Sequence, residues 1–235
     1  MAEDLEEIKE RLDYCVGERN ELAAQVVQHF NTYLERRVID SPSPGRLMHQ
    51  VRLSRALPKA ISFRVGHIIH EVRSSLDALA CVLAARNGKD AKDVYFPISK
   101  TEKALNNYGV KGLKKLSAAD RNAIMALKPH GDANPILFGM HDFDRTRKHQ
   151  RLLASSNGGR AGYFVGDFEG ALFVDIEEFT TNWQPIAFVR AGVFVDFKVG
   201  VDIVFREPSQ LKRLPVLIGR DQFIIEAQNI VRMFD

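Results

Sequence analysis

Apolar residues return at steps of three and four along the start of this chain. From Glu3 to Arg37 the positions Leu5, Ile8, Leu12, Cys15, Arg19, Leu22, Val26, His29 and Tyr33 follow that step, and seven of the nine are apolar. The spacing predicts one long helix with a coiled-coil-like stripe, interrupted at Arg19 and His29. Such a helix would run about 50 Å, longer than a small domain needs. Part of the stripe is therefore expected to pack against a second copy, giving a homodimer through the N-terminal helix. Asp40-Ser-Pro-Ser-Pro-Gly45 cannot continue a helix and marks the stop.

A second helix is predicted from Pro58, a suitable first-turn residue, to Asn87-Gly88, a suitable cap. Ile61, Val65, Ile68, Val72, Leu76, Leu79 and Leu83 recur at helical spacing. Between Leu76 and Ala85 only Asp77 is polar, so this half of the helix belongs in the centre of a bundle. The pattern is less regular to Gly131. Val94-Tyr-Phe-Pro-Ile98 reads as a short extended piece, Ser99 with Glu102 as a capping box, and Ser117 as the cap of a helix through Ile124 to Leu127. Asn134-Pro135 opens a further helix to about Ala154, strongly charged in its second half.

After Ser155-Ser-Asn-Gly-Gly159 the period changes to two. Val193, Val195, Phe197, Val199, Val201, Ile203 and Phe205 alternate with mainly polar residues, as in a half-buried antiparallel strand. Residues 161–166, 171–176 and 184–190 are its candidate partners. A last helix, Asp221 to Phe234, shows one apolar face. The fold class is therefore α+β: a helical bundle over residues 1–155, then an antiparallel β-meander and C-terminal helix over 156–235. The apolar face of the last helix predicts that the two parts pack as one unit.

Composition narrows the setting. The 235 residues are 45% hydrophobic and 27% charged, ordinary for a globular protein. The formal charge of +3 is too small to imply nucleic-acid binding by itself, which leaves local clustering as the question. Cys15 and Cys81 both sit at apolar positions of helical patterns and read as buried thiols of a reducing compartment. The acidic, helix-forming start lacks the basic residues and apolar run of a signal peptide, and no stretch approaches the roughly 18 apolar residues of a membrane helix. The expectation is a cytoplasmic protein without a membrane partner.

Candidate chemistry falls into two clusters. His70, Arg73, Ser74 and Asp77 share one helix face, with His67 beside it. A carboxylate among apolar neighbours must find a cation or several donors, and Arg73 is the local candidate for Asp77. The second cluster runs from His141 to Arg151. There Asp142, Arg145 and His149 fall on one helix side, and Asp144, Lys148 and Arg151 on another. If the two helices touch, Asp77 gains a partner from Arg145, Lys148 or His149. Two meanings compete: an acid/base and anion-binding site shared by the helices, or a polar lock that fixes their register.

Other chemistries find no support in the spacing. His67 and His70 are three residues apart, unlike the zinc helix H-E-x-x-H, and there is no Cys-x-x-Cys, so neither metal nor other cofactor is expected. Gly158-Gly159 lies between a helix and a strand, the reverse of a phosphate-binding strand–loop–helix. Trp183 and most phenylalanines fall in the strand region and read as core rather than base-stacking platforms.

His70-Glu-Val-Arg-Ser-Ser-Leu-Asp-Ala-Leu79, Phe96-Pro-Ile98 and Arg147-Lys-His-Gln150 resemble an uncharacterised family of bacterial and phage proteins. That family shows H-N-L-R-S-A-L-D-H-L, F-P-I and D-K-H-R in the same order. The likeness covers residues 58–155 by motif, and the chain departs from it at Glu71, Ala78, Arg147 and Gln150. A looser resemblance is to the HEPN helical bundles, which include metal-independent RNases with a paired arginine and histidine. Here three residues separate Arg145 from His149, against four to six in that superfamily, and Thr146 follows the arginine. The first functional expectation is thus a homodimeric binding or scaffold protein. The alternative is an RNase acting on RNA with His149 as acid/base and Arg145 and Lys148 on phosphate.

Overall fold

The computed structural model describes residues 3–107, 109–149, 155–165, 171–176, 179–192, 195–205, 211 and 214–235; for residues 3, 147–149, 155–165, 171–176 and 195–204 the backbone alone is described. After a single 3-10 turn, Glu3–Leu5, the first helix α1 spans Glu6–Tyr33. The chain then passes without a loop into strand β1, Leu34–Asp40, which pairs antiparallel with β2, Arg46–Leu53. This corrects the expected helix through Arg37. Pairing with β2 satisfies the backbone of Leu34–Asp40, and the β-branched Val38 and Ile39 suit a pleated strand. The Ser-Pro-Ser-Pro-Gly stretch closes the hairpin. Gly45 takes the left-handed conformation there (φ 72°), and Ser41 N–H donates to Arg46 O at 3.0 Å.

The long stripe of α1 is consumed within the chain. Leu5, Ile8, Leu12, Cys15, Leu22 and Val26 are buried. They belong to the same core as the second helix α2, Lys59–Arg86, and the last helix α6, Val216–Arg232, both of which pack on α1. Both interruptions have internal partners: Arg19 forms a two-pronged ion pair with Asp221 of α6, and His29 Nε2 lies 3.0 Å from Arg55 O. The observation that suggested pairing with a second copy is therefore accounted for inside one chain.

Helix α2 is central, as its apolar circumference requires; Leu76, Leu79, Ala80 and Leu83 are wholly buried. Pro58 precedes it, and Asn87 and Gly88 (φ 66°) end it. Two short helices follow, α3 (Glu102–Asn107) and α4 (Ala118–Ala126), separated by a 3-10 stretch at Gly109–Lys115. Ser117 caps α4 by accepting from Asp120 N–H at 3.1 Å. At α3 the side-chain acceptor is Thr101 Oγ1 instead of Ser99, whose backbone bridges to Pro129 and Gly131. Helix α5, Pro135–His149, lies across α2; Asn134 Oδ1 caps it through Leu137 N–H.

The strands after α5 do not form a meander. Strand β3 (Ser155–Val165) pairs with β4 (Ala171–Ile176) and, along its full length, with β6 (Val195–Phe205). Between them β5 (Gln184–Arg190) leaves to join the N-terminal hairpin, so the sheets are ordered β4-β3-β6 and β1-β2-β5. The Ser-Ser-Asn-Gly-Gly segment expected as a loop is the start of β3, because pairing with β6 overrides its weak strand propensity. The architecture is α+β, and among the described residues no helix is long and apolar enough to cross a membrane.

Because the α1 stripe packs inside the chain, Leu12→Ala should cost about 2–5 kcal/mol in urea unfolding, with a midpoint independent of protein concentration. A midpoint that moves with concentration would show that a second copy shares the stripe.

Candidate functional site

Asp77 sits one helical turn beyond Arg73 on α2, and that spacing lets the two side chains meet at the surface of the bundle core. Arg73 Nη1 donates to Asp77 Oδ1 at 2.6 Å. The same oxygen accepts from Phe96 N–H at 2.9 Å, while Arg73 Nη2 donates to Phe96 O at 3.0 Å. One residue of the extended 94–98 segment thus has both backbone groups held by side chains of α2. Phe96 itself is buried, as are Val94 and Ile98, so the clamp fastens a segment whose ring already lies in the core.

The third arm of Arg73 crosses to α5, where Nε donates to His141 Nδ1 at 3.3 Å. A guanidinium can only donate, so Nδ1 offers its lone pair and the imidazole carries its proton on Nε2. Burial, and then the positive charges of Arg73 and Arg145, push the His141 pKa down to about 4. One turn further along, buried Asp144 faces α2 again, with Oδ1 at 2.9 Å from His70 Nδ1. The two helices are therefore joined twice, by Arg73–His141 and by His70–Asp144.

Over this joint opens a cleft of about 480 Å³. Arg73, Asp77, His141 and Asp144 meet it from the helices, Tyr95 to Ile98 from the extended segment, and Gly109, Lys111 and Gly112 from the 3-10 stretch. Tyr95 is 61% exposed. Lys111 and Arg145 are the exposed cations of the lining, and Arg145 Nη2 also donates to Asp142 Oδ1 at 2.6 Å. Asp93, exposed beside Tyr95, adopts a left-handed backbone conformation (φ 57°) that a non-glycine residue rarely takes.

The expected contact between the two charged clusters exists, but through different residues. Asp77 has its cationic partner in Arg73, the local candidate, and not in Arg145. Its cross-helix members are His141 and Asp144, and His70 pairs without lining the cleft. The side chains of Lys148 and His149 lie outside the described residues. His67 Nδ1 is 3.9 Å from Glu71 Oε1, so the two histidines of α2 have different partners. Among the described residues no group of three or more His, Cys, Asp or Glu side chains is placed to hold a metal. The spacing of His141, Asp144 and Arg145 at steps of three and four was the available signal for this face. Phe96 enters through its backbone, and the sequence marked it only as part of an extended F-P-I stretch, not as a partner of Arg73 and Asp77.

Compared with known proteins, the chain matches no family model, no curated protein and no solved structure.

Two outcomes follow from the joint. Asp77→Ala leaves buried Arg73 without its counter-charge and Phe96 N–H without its acceptor, and should destabilise by about 3–5 kcal/mol; a loss below 1 kcal/mol in denaturant titration would show that the clamp contributes little. His141 binds its proton less well folded than unfolded, so its contribution is complete above pH 6.5 and declines as pH falls towards 4. That decline should amount to roughly 3 kcal/mol and should disappear in His141→Gln, measured by urea midpoints from pH 7.5 to 4.

Proposed function

We propose that the protein is a binding protein whose ligand enters the cleft over Arg73 and His141. The observation that carries this reading is the floor of that cleft. Its polar groups are locked by bonds to one another before any ligand arrives, so little ordering remains to oppose binding. The volume of about 480 Å³ falls in the range of small-molecule sites, and the lining sets the Tyr95–Ile98 segment against seven Arg, Lys, His and Asp side chains. The exposed Tyr95 offers surface to an apolar or aromatic body. Asp144 and the neutral His141 offer an acceptor and a donor to its polar end.

The resemblance to the bacterial and phage family fits the same reading. The arginine and aspartate of its first motif correspond to Arg73 and Asp77, and the phenylalanine of its second to Phe96, which these two clamp. Cys15 and Cys81 are free thiols, which supports a reducing, cytoplasmic setting.

A second reading is favoured by Arg145, whose side chain is 64% exposed where the cleft opens. In that reading the protein is a HEPN-like RNase in which Arg145 and Lys148 hold phosphate and His149 exchanges the proton. An RNA-cleavage assay separates the two. Chelator-insensitive cleavage that vanishes in His149→Ala selects the RNase, and equal background in both proteins removes it.

The binding reading is tested by a fragment screen followed by NMR. Amphipathic aromatic fragments should shift the Ile98 methyl and His141 ring resonances together. Hits that leave both unmoved, or a screen without hits, reject the cleft as a ligand site.

A further inference from the structure

Charge is unevenly distributed along this chain. Residues 34–55 and 183–190, which contain the β1-β2-β5 sheet, hold six arginines against two carboxylates, whereas the whole protein is only +3. The remaining residues together are therefore slightly acidic. A modest net charge conceals a strongly basic sheet.

Strand alternation sorts that charge by face. Val51, Leu53 and Val189 turn into the protein and are buried. The register places Arg37, Arg46, Arg52 and Arg190 on the opposite face, with Phe188 beside Met48 between them. Arg46 and Arg190 are direct cross-strand partners, and among the described residues neither has a carboxylate. Like charges directly opposed across two strands destabilise a sheet, so the pair works against the fold that carries it. At the other end of β2 the guanidinium carbons of Arg37 and Arg52 lie 4.2 and 4.6 Å from the ring centre of Trp183. Arg37 also donates to Gln50, and Arg52 to Glu35, which holds both heads in place. Phe188 is 54% exposed between the two cationic ends, and Trp183 is half-buried; neither is the core residue expected from its strand setting.

We propose that this outer face of the β1-β2-β5 sheet binds single-stranded nucleic acid. The six residue steps from Arg46 to Arg52 span about 20 Å of strand, a length suited to a few nucleotides. Arginines at both ends meet phosphates, and Phe188, with the edge of Trp183, meets base faces. A basic track interleaved with aromatic rings is the arrangement that sequence-tolerant single-strand binding requires. An acidic protein would complement the charge but would not account for the exposed Phe188 ring placed between the cations. The inference concerns a different face from the cleft and stands whether or not the cleft takes a ligand.

Trp183 is the sole tryptophan, so its fluorescence reports this face alone. A twelve-nucleotide oligouridine and a matching oligothymidine, titrated at low salt, should quench it, and the stronger binder of the two identifies RNA or DNA as the preferred source. Arg46→Gln with Arg190→Gln should weaken binding about tenfold and lower the salt slope by about 1.4, the release expected from two single-strand phosphate contacts. Replacing both surface arginines by Glu should abolish binding, with thermal unfolding as the check on folding. Absence of quenching at about 50 µM oligonucleotide, which lies within the roughly 1–100 µM range of non-specific Kd at physiological salt and above the tighter values expected at low salt, overturns the proposal. So do unchanged affinity in the Gln pair and polyglutamate that binds as tightly as the oligonucleotides.

Discussion

The guanidinium of Arg73 is the point at which three parts of the chain become one. It is buried on the central helix, where matching its donors offsets the cost of taking a cation out of water. Asp77, the carbonyl of Phe96 and the imidazole of His141 supply those matches from α2, the extended 94–98 segment and α5. Each partner is then constrained in return. Asp77 takes the Phe96 N–H, and His141 is kept neutral, because a proton on Nδ1 would displace the bond from Arg73. The cleft above inherits its rigidity from this set of mutual constraints.

Elsewhere the fold is held by ordinary apolar packing, with charged groups used where a polar residue interrupts a stripe. Arg19 falls in the middle of the α1 seam and is matched by Asp221 of α6. Next to Asp221 on α6, Arg220 is wholly enclosed, and burial pushes its pKa down to about 10; its Nη2 donates to Arg19 O. These contacts fix how α6 sits on α1. Arginines thus join helices at two separate places in the same bundle, Arg73 at one and Arg19 with Arg220 at the other.

The two sheets show a different balance. The β1-β2-β5 sheet turns Val51, Leu53 and Val189 inward and keeps Arg37, Arg46, Arg52 and Arg190 on the other face, including a pair that repel each other across strands. The bundle gains nothing from that repulsion, whereas the Arg73 cluster is internally neutralised and contributes to the joint between helices. The contrast separates charges that serve the fold from charges that face outward.

Much of this was legible in local pattern. The heptad-like and 3.6-residue periods located α1, α2 and α6, Pro58, Gly88 and Ser117 marked helix ends, and alternation located β4, β5 and β6, because each signal depends on neighbours within a few residues. The Asp77–Arg73 pair was legible for the same reason, being one helical turn long. Tertiary structure alone decided the rest. It ended α1 at Tyr33 by offering Leu34–Asp40 a partner in Arg46–Leu53, and it sent β5 to that hairpin instead of to β6. It also chose His141 and Asp144, from a run crowded with charges, as the residues that meet α2. Strand pairing and cross-helix contact join residues distant in sequence, and their selection depends on which backbone groups and buried charges remain unmatched once the chain has folded.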